Sequence, residues 1–173
     1  MIKKILPFEK LVYRSTLPKD ELLVHLQNEI EAEKPFNFKA NKFIYSKPYI
    51  GKIYNDSFEI KRAINYRNSF LPQIKGEIKD DLNGSKITVK MNLIEIVKVF
   101  MIIWLSGVLV GCLVISYNLI FKNDLNSEGT YFMFTPFFML LFGVVLVSLG
   151  FKVESKKSRK DLEKILKAKI IER

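Results

Sequence analysis

Residue types suited to acid–base, nucleophilic or metal chemistry are scarce in this chain. His25 is its single histidine and Cys112 its single cysteine. A metal centre needs several nitrogen, sulfur or carboxylate ligands at short spacing, and neither residue has such company. His25 falls in a helical pattern, where a surface or half-buried imidazole is ordinary. Cys112 lies in an uncharged run and reads as a small apolar residue. Asp80 and Asp81 are adjacent, but strand neighbours point to opposite faces, and beside Asn83-Gly84 they read as turn residues. No nucleophile–base pair and no glycine-rich phosphate loop has the required spacing. No catalytic residue, metal or cofactor is therefore expected.

Two stretches are chemically better equipped to bind than to react. Residues 65–71 (NYRNSFL) combine Tyr66, Asn68 and Phe70 with Arg67, and Arg62 stands just before them. Apolar tips beside guanidinium groups suit an interface rich in anionic lipid head groups. The same residues would also suit a loop that packs its rings into the open end of a sheet and leaves the arginines in water. Residues 35–52 interleave Phe36, Phe38, Phe43, Tyr45 and Tyr49 with Lys39, Lys42, Lys47 and Lys52. That pattern can meet lipid head groups or nucleic acid, while the alternation over residues 41–46 is that of an ordinary strand. No nucleic-acid-binding module is recognisable, so nucleic acid is not expected as a partner.

What must position these residues is set by two uncharged runs, 99–121 and 129–151, of 23 residues each. At about 1.5 Å per residue each reaches roughly 34 Å, enough for a bilayer core. Residues 1–98 carry net charge +6, residues 99–151 net −1 and residues 152–173 net +5. Basic residues crowd both outer ends (Lys90, Lys98, Lys152, Lys156, Lys157), while the connecting loop has Lys122. By the positive-inside rule this predicts a transmembrane hairpin with both termini cytoplasmic, in a bacterial cytoplasmic membrane. The N-terminus lacks the apolar stretch of a secretory signal. Inside the runs there is no ionisable side chain of the kind a proton or ion path uses. Gly107 and Gly111 form a GxxxG pair, which permits close helix packing within the hairpin or in a homodimer.

The remainder predicts an α+β domain over residues 1–98. Residues 10–15 read as a strand, and a helix from Thr16 or Leu17 to Lys34 places Leu22, Leu23, Leu26 and Ile30 on one side. Two hairpins follow. Residues 49–54 and 57–64 flank Asn55-Asp56, pairing Ile53 with Phe58, Gly51 with Ile60 and Lys52 with Glu59. Residues 73–80 and 85–92 flank Asn83-Gly84, pairing Ile78 with Val89, Gly76 with Met91 and Glu77 with Lys90. A basic C-terminal helix, 158–171, carries Leu162, Ile165, Leu166 and Ile170 as an apolar stripe able to return to the sheet. The whole reads as an antiparallel sheet of two hairpins and an N-terminal strand, covered by helices, with the transmembrane hairpin (99–151) inserted before the C-terminal helix (152–173). Strand 85–92 leads directly into the first apolar run, which puts Pro72 and the loop before it on the membrane side.

The segment YIGKIYNDSFEIKRAINYRNSFLPQIKGEI (49–78) resembles a group of small bacterial two-helix membrane proteins of unknown function. The resemblance implies no activity. The element order is also similar to the helix-grip architecture of lipid-binding START-like domains, with fewer strands, and likeness of fold does not carry function. Three functional readings follow: a non-enzymatic membrane-anchored module holding a lipid, an apolar ligand or a protein partner; an accessory or immunity-type subunit of a membrane complex; and a membrane-bound enzyme of unrecognised type.

Overall fold

The computed structural model describes residues 6–33, 45–121 and 134–172. Residues 41–44 of the expected strand 41–46, most of the basic-aromatic stretch (Phe36, Phe38, Lys39, Lys42, Phe43) and the loop 122–128 lie outside them; Tyr45 and Ser46 are described and are not strand. The chain divides into two compact units, 1–94 with 150–173, and 95–149.

The first unit is α+β. Strand β1 (Phe8–Ser15) leads to helix α1 (Lys19–Glu29) and then β2 (Ile30–Ala32), β3 (Tyr49–Ile53), β4 (Ser57–Arg62), β5 (Gln73–Asp81) and β6 (Gly84–Asn92). The last strand, β7 (Ala168–Glu172), follows the long helix Thr135–Ile165. The strands form one sheet in the order β2-β3-β4-β5-β6-β1-β7. It is mixed rather than antiparallel, because β2 pairs in parallel with β3. Helix α1 is shorter than its apolar spacing suggests. Ile30 turns extended at φ −115° and ψ 130°, and Lys47 Nζ donates to the carbonyls of Gln27 (2.8 Å) and Ile30 (3.2 Å). A cation on the last carbonyls of a helix satisfies its open acceptors and complements its dipole.

The β3–β4 register matches the expected one, with Ile53 opposite Phe58, Gly51 opposite Ile60 and Lys52 opposite Glu59. The β5–β6 register differs by two residues. Ile78 pairs with Ile87, Gly76 with Val89 and Glu77 with Thr88, and the tip is Leu82-Asn83. A shift of two leaves every side chain on its own face, so the apolar pattern is indifferent to it. Gly84 serves a purpose other than turning: at φ +129°, a Cβ there would stand 2.2 Å from the Ser15 carbonyl oxygen. Its glycine lets β6 pass close to the end of β1, where Ser15 pairs with Ser85.

The inner face of the sheet carries Leu11, Tyr13, Phe58, Ile60, Ile74, Ile78, Ile87, Val89 and Met91, all buried. Leu22 and Leu26 of α1, Phe151 and Leu162 of the long helix, and Leu166 just past its end complete this core. The expected separate C-terminal helix is instead the continuation of that helix, and residues 168–172 are strand. Lys167 takes φ 45°, and the Ser15 hydroxyl donates to the Leu166 carbonyl at 2.8 Å. The hydroxyl caps the helix end, and the chain then pairs with β1.

The second unit contains α2 (Glu95–Phe121) and the first part of α3 (Thr135–Ile165), two helices long and apolar enough to cross a membrane.

Ile78 is 2% exposed. Ile78→Asp should lower stability by about 3 kcal/mol or more by placing a charge in the core. Glu77→Ala, on the outer face, should change it by less than about 1 kcal/mol. Thermal unfolding of the full chain, followed by near-ultraviolet circular dichroism, checks both.

Candidate functional site

Phe151, Glu154, Ser155, Ser158, Leu162 and Ile165 of α3, with Leu166 just past its end, form a buried stripe in the first unit. Their helical spacing aims them at the sheet. Three of the seven are polar, and Glu154 is only 2% exposed. An isolated buried carboxylate is costly, so its partners define the site.

Arg62, the last residue of β4, places Nη1 2.9 Å from Glu154 Oε2 and Nη2 3.3 Å from Asp161 Oδ2. The Tyr66 hydroxyl donates to Glu154 Oε1 at 2.5 Å, and Lys157 Nζ donates to the same oxygen at 2.9 Å. Lys157 also lies 5.9 Å from the Tyr66 ring centre, within cation–π range. One turn further on, the Tyr49 hydroxyl donates to Asp161 Oδ2 at 3.3 Å. Burial alone would raise the Glu154 carboxyl, but hydrogen bonds from Tyr66, Lys157 and Arg62 outweigh it and hold the group below the ordinary glutamate range. Burial pushes the Tyr49 hydroxyl well up, so it remains a neutral donor. Burial and the bond to Glu154 raise Tyr66 in the same sense.

The neighbouring loop docks on the same helix. Asn68 Nδ2 donates to the Gly150 carbonyl at 3.1 Å, and its Oδ1 accepts from the Phe70 N–H at 2.9 Å. A Cβ on Gly150 would stand 2.9 Å from Phe70 Cδ2, so the missing side chain is what admits the ring.

The structure thus brings together four of the five residues singled out in this loop. Arg62 and Tyr66 are committed to Glu154; Asn68 and Phe70 are committed to Gly150. Arg67 is exposed. Glu154, Asp161 and Gly150 were not anticipated, and Tyr49, expected as part of the basic-aromatic stretch, belongs to this cluster instead. The available signal was Glu154 itself, a lone acid at the end of an uncharged run on the apolar side of a basic helix. In the second unit, among the described residues nothing lies within 4 Å of a Cβ built on Gly107, and Gly111 makes only ordinary contact with Pro136. The close approach there is at Gly143, where a Cβ would stand 2.4 Å from the Trp104 ring.

His25 is half-buried at a shallow depression lined by Asp20, Glu21, Val24 and Lys167. Among the described residues no group of His, Cys, Asp and Glu is arranged to hold a metal ion. The geometry around Glu154 is that of a structural clamp: each of its oxygens is taken by donors from the protein. Comparison with family models, curated proteins and solved structures gives no match to this chain.

Glu154→Gln should cost about 3 kcal/mol, the lower end for breaking a buried pair, because Arg62 keeps Asp161. A carboxyl held below its unfolded value adds stability above the ordinary glutamate range and loses it as pH falls through the folded value. The difference between the natural chain and Glu154→Gln should therefore be largest above about pH 5 and shrink below about pH 4. Chemical denaturation across that range measures it.

Proposed function

We propose that this chain is a non-enzymatic binding module anchored in a bacterial cytoplasmic membrane by α2 and the first part of α3, with both termini in the cytoplasm. One observation carries this reading. Helix α3 continues without a break from an uncharged run into the core of the α+β unit, where the Glu154 cluster and the loop 65–71 grip it. A second observation supports it. Only 11% and 17% of the most apolar windows of the two helices are buried, and side chains such as Ile102, Ile103, Leu113, Phe138 and Leu141 are exposed. Exposed apolar surface on that scale suits lipid rather than water.

The loop 65–71 rests on Gly150, the second-last residue of the uncharged run, which suits a place at head-group depth. Arg67 and the exposed ring of Tyr66 are then its lipid contacts, and Arg62 acts through Glu154 instead. A second reading, an accessory subunit packed against another membrane protein or a second copy, draws on Gly107, whose open side would admit a close helix.

Membrane integration predicts that the chain stays with the membrane fraction at alkaline pH. Reporters at either terminus should be cytoplasmic, and one at Leu125 periplasmic. Release by alkali, or all three reporters on one side, would contradict the reading. In nanodiscs of a Cys112→Ala chain, a fluorophore on Arg67→Cys should be quenched by head-group-labelled lipid and one on Leu82→Cys should not. Equal quenching at both positions would remove the loop from the interface.

A further inference from the structure

The corrected register of β5 and β6 changes what the outer face of the sheet presents. Lys90 stands opposite Lys75 on one side and Lys10 on the other. Four residues along the strands, Lys86 stands opposite Lys79 and Arg14, and Arg14 stands opposite Lys169. All seven cations are exposed. Like charges directly opposite one another on neighbouring strands oppose folding, so two such rows are a cost to the sheet itself. On the β4–β5 side the charge is answered from within: Lys75 pairs with Glu59 at 3.3 Å and Lys79 with Glu77 at 3.0 Å. Arg14 pairs with Asp81 at 2.8 Å. Lys10, Lys86, Lys90 and Lys169 have no ion-pair partner among the described residues. The surplus is therefore concentrated on β6, β1 and β7.

We propose that this face is a docking surface for an extended acidic segment of a protein partner. The two rows lie about 14 Å apart, four residues at strand rise, so carboxylates four residues apart on an extended chain reach both. Between the rows Thr88 pairs with a buried Val12, and this line ends in Glu77 on β5 and Glu172 on β7. Among the described residues no aromatic ring stands between the two rows to stack a base, as single-stranded nucleic acid binding uses; Phe8 lies outside them, opposite Asn92. The carboxylates of Glu59, Glu77 and Asp81 along one margin and of Glu172 on the other would repel a phosphate backbone or an anionic lipid sheet, whereas a narrow peptide can pass between them. The inference does not depend on the membrane reading, and its test requires no bilayer.

The test is binding of the purified full chain, in neutral detergent, to a labelled polyglutamate peptide. Equally charged poly-uridylate RNA and micelles doped with anionic lipid serve as competitors. Binding to polyglutamate should weaken steeply with salt. Lys86→Gln with Lys90→Gln should reduce it about tenfold, equivalent to about 1.4 kcal/mol. The same double substitution should raise the melting temperature, by about 2–4 °C per kcal/mol of repulsion relieved in a chain of this length. That gain is a readout that a merely structural role for these lysines would not give. Absence of polyglutamate binding, binding untouched by the substitutions, a fall in melting temperature, or displacement by RNA or lipid at lower concentration than by unlabelled polyglutamate would each overturn the proposal.

Discussion

A carboxylate taken almost wholly out of water must be met by donors, and the α+β unit is arranged around meeting the one on Glu154. The donors come from three places: Arg62 at the end of β4, Tyr66 in the following loop and Lys157 one turn along the same helix. Removing any of them leaves part of a buried charge uncompensated, which costs more than the pair contributes when intact. Strand, loop and helix are therefore interdependent at this point. The apolar stripe from Phe151 to Leu166 supplies most of the burial on this helix, but apolar contact is indifferent to small slides. Directional bonds to Glu154 and from Asn68 to Gly150 fix where along the helix the sheet takes hold.

The two faces of the sheet then serve different ends. The inner face is mostly apolar; its polar side chains include Glu9, Ser15 and Ser85, and Arg62 and Tyr49, which reach Glu154 and Asp161. The outer face carries cations in register across four strands, and four of them have no ion-pair partner among the described residues. A sheet that tolerates this arrangement is held by its inner face, since the outer one opposes it.

Much of the fold was legible in the residues, and the exceptions have definite physical causes. The β3–β4 hairpin is readable because Asn55-Asp56 sits between two alternating segments and a two-residue turn fixes the pairing. The β5–β6 hairpin has an equally strong signal in Asn83-Gly84, yet its glycine answers to the backbone of Ser15, a neighbour distant in sequence. Strand β2 is hidden because Ile30 lies at helical spacing from Leu22, Leu23 and Leu26, and its pairing with β3 is a long-range contact. Strand β7 is hidden likewise: Ile170 extends the stripe of Leu162 and Leu166, and only the local break at Lys167, capped by Ser15, separates helix from strand. Of the candidate site, the loop residues were visible as a group through composition. Their true partners, Glu154 and Gly150, lie more than 80 residues away, which no local pattern encodes.

A double-mutant cycle between Arg62 and Glu154, using Arg62→Gln, Glu154→Gln and the two together, measures directly whether this pair holds strand to helix. Residues in one buried network couple by about 0.5–3 kcal/mol, and a coupling of about 2 kcal/mol is expected here at pH 7. A coupling below about 0.5 kcal/mol would mean that the two side chains contribute independently and that the clamp does not determine how the sheet is held.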